Sequence, residues 1–487
     1  MQIFFILGIP VLLALGSLLP KRAGAFGIIN ALGYLVILFL SAILLKDIAI
    51  SGTVSSYFGF VYLDTLSAFF IFVISTVAFA AALYSIGYIR KDAEKGVISE
   101  RKARVYYLLF NLFCLSMFFV PSVDNLGMLW VAIEMTTLIS AFLVGFYNTK
   151  ESVEAAWKYI IICSVGIIFA LLGTILFSYA FSLCGGVKSL NWSDISAAAG
   201  RMDKNIVRAA FIFILVGYGT KAGLAPMHTW LPDAHSQAVA PISALLSGVL
   251  LKTAIYAILR FGIIAIKSAG FAYFGNLMIL LGLVSLAISC GFILVQKDLK
   301  RLLAYSSIEH IGIVSIGFGL GTPLSFAGAF LHIFNHAVTK SLLFFGAGDI
   351  VGAYKRHKMN AIRGVIKALP FAGIMTLLGV FAITGFPPFS IFFSEILIIA
   401  AAFLKGSYLT AGLLLFFLTV IFGAFIFHFG KMLFGNLPKD MKVTGEPLSG
   451  KIAFLFLFFQ ICAAGAAFLF IPLEKVSILI KTIFGGL

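Results

Sequence analysis

Residues 331–345 read LHIFNHAVTKSLLFF, an apolar run in which three titratable side chains recur every four positions. His332, His336 and Lys340 would lie along one slowly drifting stripe of an α-helix, because residues four apart are neighbours on a helix surface. The other residues are mostly apolar, so this helix is expected to be buried in lipid or among other helices. Charged groups are rare and expensive in such a setting, and they usually serve a function there.

The whole chain shares this apolar character. Its 487 residues are 61% hydrophobic and 11% charged, and the mean hydropathy is +1.10. Soluble domains carry about 25% charged residues, so the chain is predicted to be an all-α, polytopic membrane protein of about fourteen transmembrane helices, each spanning roughly 20 residues. The predicted spans are residues 2–19, 24–45, 62–89, 105–121, 126–146, 156–182, 206–225, 239–263, 273–294, 302–319, 324–347, 368–402, 407–430 and 452–472.

The distribution of positive charge gives an orientation. Lys and Arg are about twice as frequent in the predicted inner loops as in the outer ones, which places both termini outside a plasma (cell inner) membrane. The first span has its positive charges after the apolar run, unlike a cleaved signal peptide. The net charge of +16 fits this bias and contact with anionic lipid, and no nucleic-acid partner is expected.

Several classes of function are disfavoured. The five cysteines are scattered, with no CxxC pair, so an iron–sulfur cluster held by this chain is not expected. No Gly-rich nucleotide loop with a basic anchor is present, which argues against ATP as a direct energy source. His332 and His336 have a spacing suited to metal binding, but no convergent ligand set is evident. The chain is therefore expected to hold no cofactor, no metal and no catalytic residues of its own.

Titratable residues also lie within other predicted spans. A charge near the bilayer centre costs about 2.5–17 kcal/mol, depending on how it is measured, and each one alone could be a snorkelling side chain or a structural ion pair. Their presence in six spans favours a buried polar conduit. The candidates besides the opening stripe are Glu134, Lys221, Lys252 and Glu395, with Lys158, Glu309, His310 and His428 as additional ones.

Two spans are expected to be broken. Glycines and prolines punctuate the seventh span, and the run Thr384–Pro388 interrupts the twelfth; both patterns disfavour a continuous helix. Unwound backbone at membrane depth is tolerated where it is packed in protein or lines a cavity. A kinked packing helix is the alternative, but Lys221 and Glu395 lie close to the two breaks. The residues that predict the first break are Gly217, Gly219, Gly223, Pro226 and Pro232.

The order of these features repeats. Spans four to eight (105–263) hold a carboxylate, a lysine, a break and another lysine, and spans nine to thirteen (273–430) hold a carboxylate, a lysine, a break and a histidine. An odd number of spans per unit predicts two inverted five-helix repeats, as in many transporters. Residues 1–104 would then form three preceding helices, and residues 431–487 would carry the last one.

A chain of buried imidazoles, amines and carboxyls can pass protons near neutral pH, since burial and neighbouring charges bring such groups into that range. His332 taken alone fits a hydrogen-bonded core histidine better than a relay. In line with His336 and Lys340, it becomes a relay candidate.

Three motifs resemble a known family. GTKAGLAPMHTWLPDAHSQAVAPISALLSGVLLKTAIYAILRF (219–261), DLKRLLAYSSIEHIG (298–312) and HIFNHAVTKSLLFFGAG (332–348) are similar to the antiporter-like membrane subunits of complex I, Mrp-type sodium/proton antiporters and membrane-bound [NiFe] hydrogenases. Segments 151–180 and 361–396 look most similar to the hydrogenase-4 component F type. The resemblance covers most of spans three to thirteen.

The resemblance implies roles for the matching residues. Glu134 would pair with the broken-helix lysine, Lys221, and Lys252 would pass protons toward the central axis. His332, His336 and Lys340 match the connecting groups, and Glu395 stands at the terminal site, where some relatives have lysine.

The sequence thus favours an ion-translocating, non-catalytic subunit of a redox-driven complex of the hydrogenase or NADH:quinone oxidoreductase type. Its expected partners are other membrane subunits, the lipid bilayer, and protons or Na⁺. A subunit of an Mrp-type cation/proton antiporter without a redox partner is the alternative. An enzyme that uses the intramembrane histidines as metal ligands is a third, weaker reading.

Overall fold

The computed structural model of the chain describes residues 2–19, 23–51, 55–57, 59–185, 189–438 and 445–468. A two-stranded antiparallel hairpin, β1 (Ser55–Tyr57) and β2 (Val61–Leu63), accompanies an otherwise helical architecture. The helices up to the first break region are α1 (Gln2–Gly16), α2 (Ala23–Ser51), α3 (Thr65–Glu94), α4 (Glu100–Phe119), α5 (Leu126–Val144), α6 (Lys150–Leu183), α7 (Trp192–Ala198), α8 (Lys204–Ala222) and α9 (Trp230–Gln237). The later ones are α10 (Ala240–Leu245), α11 (Leu251–Ala269), α12 (Phe271–Val295), α13 (Leu299–Leu320), α14 (Pro323–Tyr354), α15 (Val365–Ala368), α16 (Pro370–Ile383), α17 (Ser390–Leu404), α18 (Tyr408–Leu433) and α19 (Leu448–Phe468).

Eleven helical segments of the described chain are long and apolar enough to cross a membrane. Three shorter apolar helices, α1, α16 and α17, add to them, and α14 is longer still at 32 residues. The flanking helices α2 and α6 carry many exposed large apolar side chains, whereas α13 and α14 are buried along most of their length. The chain therefore has an all-helical, polytopic membrane fold. The last predicted span, 452–472, extends beyond the described residues.

Short polar side chains cap many of these helices. Asp64, Asn125, Asp203 and Asp298 each accept hydrogen bonds from backbone N–H groups in the first turn of α3, α5, α8 and α13. Thr322 forms a capping box with Ser325 at the start of α14. Such caps satisfy N–H groups that have no partner inside the helix, and they fix where each apolar segment begins.

The first break begins at Gly223, within the run of glycines and prolines that predicted it, but the first two glycines of that run do not interrupt the helix. Gly217 and Gly219 lie inside the continuous helix α8, which ends at Ala222, and Gly223 follows with a φ of +79°. A Cβ at Gly217 would lie 2.4 Å from the backbone nitrogen of Ala170 in α6. This glycine therefore allows two helices to pack closely and does not interrupt one. The loop after Gly223 leads into the short helix α9.

The second break separates α16 from α17 at residues 384–389, as the sequence predicted. Gly385 adopts a φ of +66° there, a conformation that glycine tolerates best. A third irregularity was not predicted: the turn Leu246–Leu250, between α10 and α11, is π-helical. π-Helical turns are rare in proteins, and many of those that occur lie at functional sites.

The loops gather on two opposite faces. On the hairpin face, Val61 pairs with Val123 and Asn125 with Asn191, so β2 and the loops before α5 and α7 meet. On the other face, called the far face here, Asp298 pairs with Lys358. α5 therefore begins on the hairpin face, and α13 begins on the far face.

A buried ion pair ties the hairpin face to the core. Both terminal nitrogens of Arg260 in α11 donate to the carboxylate of Asp64 at 2.7 Å, and the guanidinium stacks on Trp192. Arg260 is 3% exposed. Bidentate pairs of this kind are geometrically specific, so the start of α3 and the end of α11 are fixed relative to each other.

Candidate functional site

A row of buried titratable side chains crosses four elements in the centre of the molecule. It begins at Lys252 in α11, whose Nζ donates to the Ser247 carbonyl of the π-helical turn and contacts Nδ1 of His336, both at 2.5 Å. An ammonium offers donors only, so a charged Lys252 requires Nδ1 of His336 to accept. The proton of that imidazole then lies on Nε2, which is buried and has no hydrogen-bond partner.

His310 of α13 occupies the next position in the row. Its ring lies between those of the two α14 histidines, with centroids 4.8 Å from His336 and 5.1 Å from His332. Nδ1 of His310 is 2.9 Å from Nε2 of His332, and Nε2 of His310 has no partner. His310 was predicted only as an additional candidate, but the structure places it between the two histidines of the opening stripe.

The hydrogen bonds of Ser394 in α17 fix the direction of the row. Its hydroxyl donates to the Ile391 carbonyl and lies 2.9 Å from Nδ1 of His332. Because the hydroxyl proton is already used, Nδ1 of His332 is the donor and Nε2 carries a lone pair. His310 must then donate from Nδ1. With Lys252 charged, every donor in the row points the same way, from Lys252 toward α17.

The hydrogen bonds of the row end at Ser394, and Glu395, the next residue, lies beside this end, with a carboxyl oxygen within 4.8 Å of a ring nitrogen of His310 and of His332. Glu395 is 7% exposed, and its Oε1 is buried without a partner. The carboxyl packs into the break between α16 and α17: a Cβ on Gly385 would lie 2.0 Å from its Oε2. Asn335 of α14 donates to the carbonyl of Ser390 at 2.8 Å, which holds the start of α17 against α14. The break therefore makes room for a carboxyl that a continuous helix with a side chain at this position would exclude.

Lys340 lies beside the row and not in it. Its Nζ donates to the carbonyl of Leu303 in α13 at 2.8 Å. It is buried, and it lies close enough to Lys252 and Glu309 to interact with both electrostatically. His332, His336 and Lys340 therefore do not form a hydrogen-bonded series along one face of α14. Lys340 is a charged neighbour of the row, and His310 of α13, not a residue of α14, lies between His332 and His336.

A second buried cluster surrounds Lys221 in the last turn of α8. Its Nζ donates to Thr137 Oγ1 at 2.8 Å and to the Tyr159 hydroxyl at 2.6 Å. The Tyr159 hydroxyl also contacts Ser140 Oγ at 2.8 Å. A positive charge is favourable at a helix C-terminus, where the backbone carbonyls lack partners. The break at Gly223 thus helps to hold the ammonium inside the protein.

The expected ion pair between Glu134 and Lys221 does not form. Glu134 accepts a hydrogen bond from Ser164 Oγ at 2.9 Å, and its Oε2 is buried without a partner. Among the ion pairs of the described residues, none joins Glu134 to Lys221, although the carboxyl is near enough to act on the ammonium electrostatically. The hydroxyls of Thr137, one turn along α5, and of Tyr159 hold the lysine instead.

The two remaining candidates lie at the far face. Lys158 is half exposed and pairs with Glu154 at 2.7 Å and Asp233 at 3.5 Å. Asp233 also pairs with Arg301, and these groups line an open polar cavity of about 420 Å³. His428 lines a separate cavity on the same face. Both residues lie outside the two buried clusters, as the snorkelling alternative allows.

One group of side chains in the row has the composition of a metal site. His310, His332 and Glu395 each offer one ligand atom, and these atoms lie within 4.8 Å of one another. No convergent ligand set was evident from the sequence because the three residues come from three different helices. All five cysteines are free thiols.

Several polar residues were missed by sequence reasoning. Tyr159, Ser394 and Lys300 are buried. Tyr159 accepts a hydrogen bond from Lys221, Ser394 is hydrogen-bonded to His332, and Nζ of Lys300 donates to the carbonyl of Ala238. His235 is fully buried, stacks on Phe344 and has neither ring nitrogen paired. Ser394 could have been found by its position next to Glu395, whereas the others carry no signal beyond a polar residue in an apolar span.

Comparison with known proteins gives a consistent result. The family model described as NADH:quinone oxidoreductase/Mrp antiporter, transmembrane region, matches residues 123–423, and the model described as NADH-ubiquinone oxidoreductase (complex I), chain 5 N-terminus, matches residues 49–96. The chain is 39% identical over 384 residues to the hydrogenase-4 component F homolog of Methylacidiphilum infernorum, covering 78% of this chain and 80% of that protein.

Two solved structures share the fold. The chain superposes on a chain of the archaeal membrane-bound sulfane sulfur reductase with a TM-score of 0.87 and 23% identity, covering 100% of this chain and 98% of that one. It superposes on a chain of the Mrp complex from Dietzia sp. DQ12-45-1b with a TM-score of 0.85 and 18% identity, covering 99% and 96%.

Proposed function

Since this chain belongs to the NADH:quinone oxidoreductase/Mrp antiporter family of membrane subunits, we propose that it translocates protons through the row from Lys252 to Glu395. The observation that carries this proposal is the common direction of the hydrogen bonds along that row. Buried polar groups are normally paired so as to be inert. Here His336 contacts Lys252, His310 donates to His332, and His332 passes the direction on to Ser394, so one gap, between His336 and His310, separates two aligned segments.

One missing hydrogen bond in the row, between His336 and His310, also supports proton transfer. With Lys252 charged, the unpartnered Nε2 of His336 carries a proton, and the unpartnered Nε2 of His310 carries a lone pair; the two ring centroids are 4.8 Å apart. A donor and an acceptor that complement each other across a short gap can be joined by a small ring rotation or by one water. This gap is where transfer is controlled in the proposed mechanism.

The Lys221 cluster acts as the input in this proposal. When Glu134 is ionised, its charge favours retention of the proton by Lys221; when that influence weakens, the proton leaves toward Lys252. Among the described residues no hydrogen bond joins the two clusters, so a change in side-chain position or a water must connect them. Redox chemistry in partner subunits would drive that change.

The architecture belongs to the same proposal. Two inverted five-helix repeats, residues 105–263 and 273–430, would each contribute one broken helix to a protein of fourteen spans, with residues 1–104 before them and 431–487 after. The breaks beside Lys221 and near Glu395 support this pairing. The excess of Lys and Arg in the loops of the far face supports a plasma-membrane orientation with both termini outside.

We further propose that the chain assembles with other membrane subunits of a redox-driven complex, with a hydrogenase type favoured by the similarity to a hydrogenase-4 component F homolog. The electron-transfer cofactors would reside in those partners. An Mrp-type cation/proton antiporter, in which H⁺ or Na⁺ is exchanged without a redox partner, is the second candidate, and the likeness of fold to a chain of an Mrp complex supports it.

The test is to replace His310 by glutamine in the assembled complex. Glutamine keeps the size and hydrogen bonding of the side chain but cannot pass a proton, so redox-driven proton uptake into inverted membrane vesicles should fall roughly 10²-fold, the lower end of the contribution of a positioned proton-transfer group. His357→Gln, an exposed loop histidine on the far face, is the matched control. Native gel electrophoresis verifies assembly.

Wild-type proton uptake by an assembled His310→Gln complex would refute the role of the row. Na⁺-dependent proton exchange in vesicles without any redox donor, lost in the same variant, would favour the Mrp-type function instead.

A further inference from the structure

The end of the row combines three side chains that no single segment of the sequence brings together. His310 comes from α13, His332 from α14 and Glu395 from α17, and one ligand atom of each lies within 4.8 Å of the others. The two histidines are at most 1% exposed and Glu395 is 7% exposed. The group is thus enclosed by protein on all sides and its composition is two imidazoles and one carboxyl.

His310, His332 and Glu395 each have an atom with a lone pair that can bind a metal ion. Ser394 holds His332 in the tautomer that protonates Nδ1, so Nε2 of His332 carries a lone pair. Nε2 of His310 and Oε1 of Glu395 are buried without any hydrogen-bond partner. Buried polar atoms are rarely left unpaired, and two of them beside the lone pair of His332 indicate a position that a cation can occupy.

We infer that His310, His332 and Glu395 form a binding site for a divalent first-row metal ion, with Zn²⁺ as the ion that fits best. Two histidines and one glutamate with an open fourth position are a ligand set that zinc uses. Imidazole nitrogen suits Zn²⁺, Cu²⁺ and Ni²⁺, whereas Mg²⁺ and Ca²⁺ prefer oxygen ligands. The ligand atoms must draw together from their present separation, which side-chain rotation of Glu395 and His310 provides.

The proton balance of binding is simple. When the metal binds, Nε2 of His332 loses its hydrogen bond from the N–H of His310 and donates its lone pair to the metal instead. If His310 binds through Nδ1, its ring proton moves to the free Nε2, so neither imidazole changes its charge. Glu395 binds as a carboxylate, and a proton that it carries is released.

Nearby charged side chains both favour and oppose the binding of a divalent cation. Glu309 of α13 lies close enough to Glu395 for the two carboxyls to interact, and in the ionised state they offset the two charges of the ion. Lys340 and Lys252 oppose binding, so the site is expected to bind metal more weakly than a dedicated structural zinc site.

Metal binding and the proposed proton path use the same lone pair. With Zn²⁺ on Nε2 of His332, that nitrogen no longer accepts a proton from His310, and the row is interrupted before Glu395. Inhibition of transport by Zn²⁺ therefore rests on the proposed function, whereas the binding itself does not.

Cobalt(II) as a spectroscopic substitute for zinc tests the binding. The full chain, purified with an affinity tag free of histidine and reconstituted in lipid nanodiscs, is titrated with Co²⁺, and the ligand-field absorption and the bound stoichiometry are measured. We expect one Co²⁺ per chain, displaced by Zn²⁺, in the wild type and in the surface control His357→Gln. His332→Gln and Glu395→Gln should each lose the ligand-field bands.

Ser394→Ala is a graded probe of the same site. Loss of the hydrogen bond that orients His332 should weaken binding about 10- to 100-fold, as is typical for partners that orient a metal ligand. No stoichiometric Co²⁺ in the wild type, or bands that persist in both His332→Gln and Glu395→Gln, would overturn the proposal. Two separate variants keep the test decisive if one of them fails to fold.

A second measurement separates this proposal from the proposed function. Zn²⁺ is added to wild-type vesicles at the concentrations that displace Co²⁺, and proton uptake is followed. Bound metal without inhibition would retain the metal site and refute the proton path, whereas inhibition without the spectroscopic site would refute the metal site.

Discussion

Replacing Gly385 by alanine tests whether the position of the Glu395 carboxyl limits proton transfer. Gly385 lies in the break between α16 and α17 with a φ of +66°, a conformation that costs an L-residue about 1–2 kcal/mol. A Cβ built there would lie 2.0 Å from Oε2 and 3.0 Å from Cδ of Glu395. The new methyl group and the present carboxyl therefore cannot occupy their positions at the same time.

The clash sets the size of the effect. Real Cβ contacts essentially never fall below 3.0 Å, so the carboxyl oxygen must move by about 1 Å, the difference between 2.0 Å and 3.0 Å. A misplacement of about 1 Å at a reacting group can lower a rate about 10²-fold. We expect redox-driven proton uptake to fall about 10- to 100-fold, with an added loss of about 1–2 kcal/mol in the free energy of unfolding from the backbone.

Gly406→Ala is the matched control. Gly406 has a φ of +76°, and a Cβ there would meet nothing within 4 Å, so it shares the backbone strain without displacing Glu395. Both variants are compared by proton uptake into inverted vesicles and by thermal unfolding of the purified chain. Equal proton uptake by the two variants, in complexes that assemble equally, would refute the claim that the placement of Glu395 matters.

Three further outcomes are expected. Glu134→Gln should severely impair proton uptake and Glu134→Asp only partly, because the carboxyl acts by its charge; equal activity of the two would exclude that role. Asp64→Asn should lower the free energy of unfolding by roughly 3–5 kcal/mol, the usual loss when one partner of a buried ion pair is removed, since Arg260 is left buried without a counter-ion; thermal melting of the purified chain measures this, and an unchanged melting temperature would contradict it. Exchanging Lys340 and Leu343 keeps the composition but rotates the ammonium about 60° around α14, so proton uptake should be lost in an assembled complex, whereas a purely structural lysine predicts that the exchange is tolerated.

The membrane fold could be predicted from the sequence because its signals are local. Apolar runs, capping residues and the run Thr384–Pro388 each act within one segment, and the family resemblance drawn from three motifs was confirmed by the comparisons. The exact position of the first break could not be read from composition. Gly217 and Gly219 look like helix breakers in the sequence, but close packing against α6 explains at least Gly217.

The site was predictable as a set of residues but not as a set of contacts. Lys221, Lys252 and the two α14 histidines are buried as their spans implied. Their partners come from other helices, and hydrogen-bonding distance between helices depends on how the helices are rotated. The absent Glu134–Lys221 ion pair illustrates this, because Thr137 lies one turn along the same helix and its hydroxyl reaches the ammonium first.

The drift of the opening stripe explains why α14 alone does not make the path. Each four-residue step advances about 40° beyond a full turn, so Lys340 is rotated about 80° from His332. That rotation leaves His332 and His336 on either side of His310 in α13. It turns Lys340 toward the carbonyl of Leu303, which lies two helical turns before His310 in α13.

The consequence concerns the reset of the path. Once a proton has passed along a row of one-way hydrogen bonds, every donor in it points backwards, and the row must reorient before a second proton can follow. No hydrogen bond joins the Nε2 atoms of His336 and His310, so a ring that turns at this gap breaks only the hydrogen bond of its own Nδ1. Lys340, close to Lys252 but bonded outside the row, can change the electrostatic cost of that turn without carrying the proton itself. Its position beside the path thus gives it a different role from the histidines. The exchange of Lys340 with Leu343 should prevent the reset, and with it sustained proton uptake, even where every histidine contact is intact.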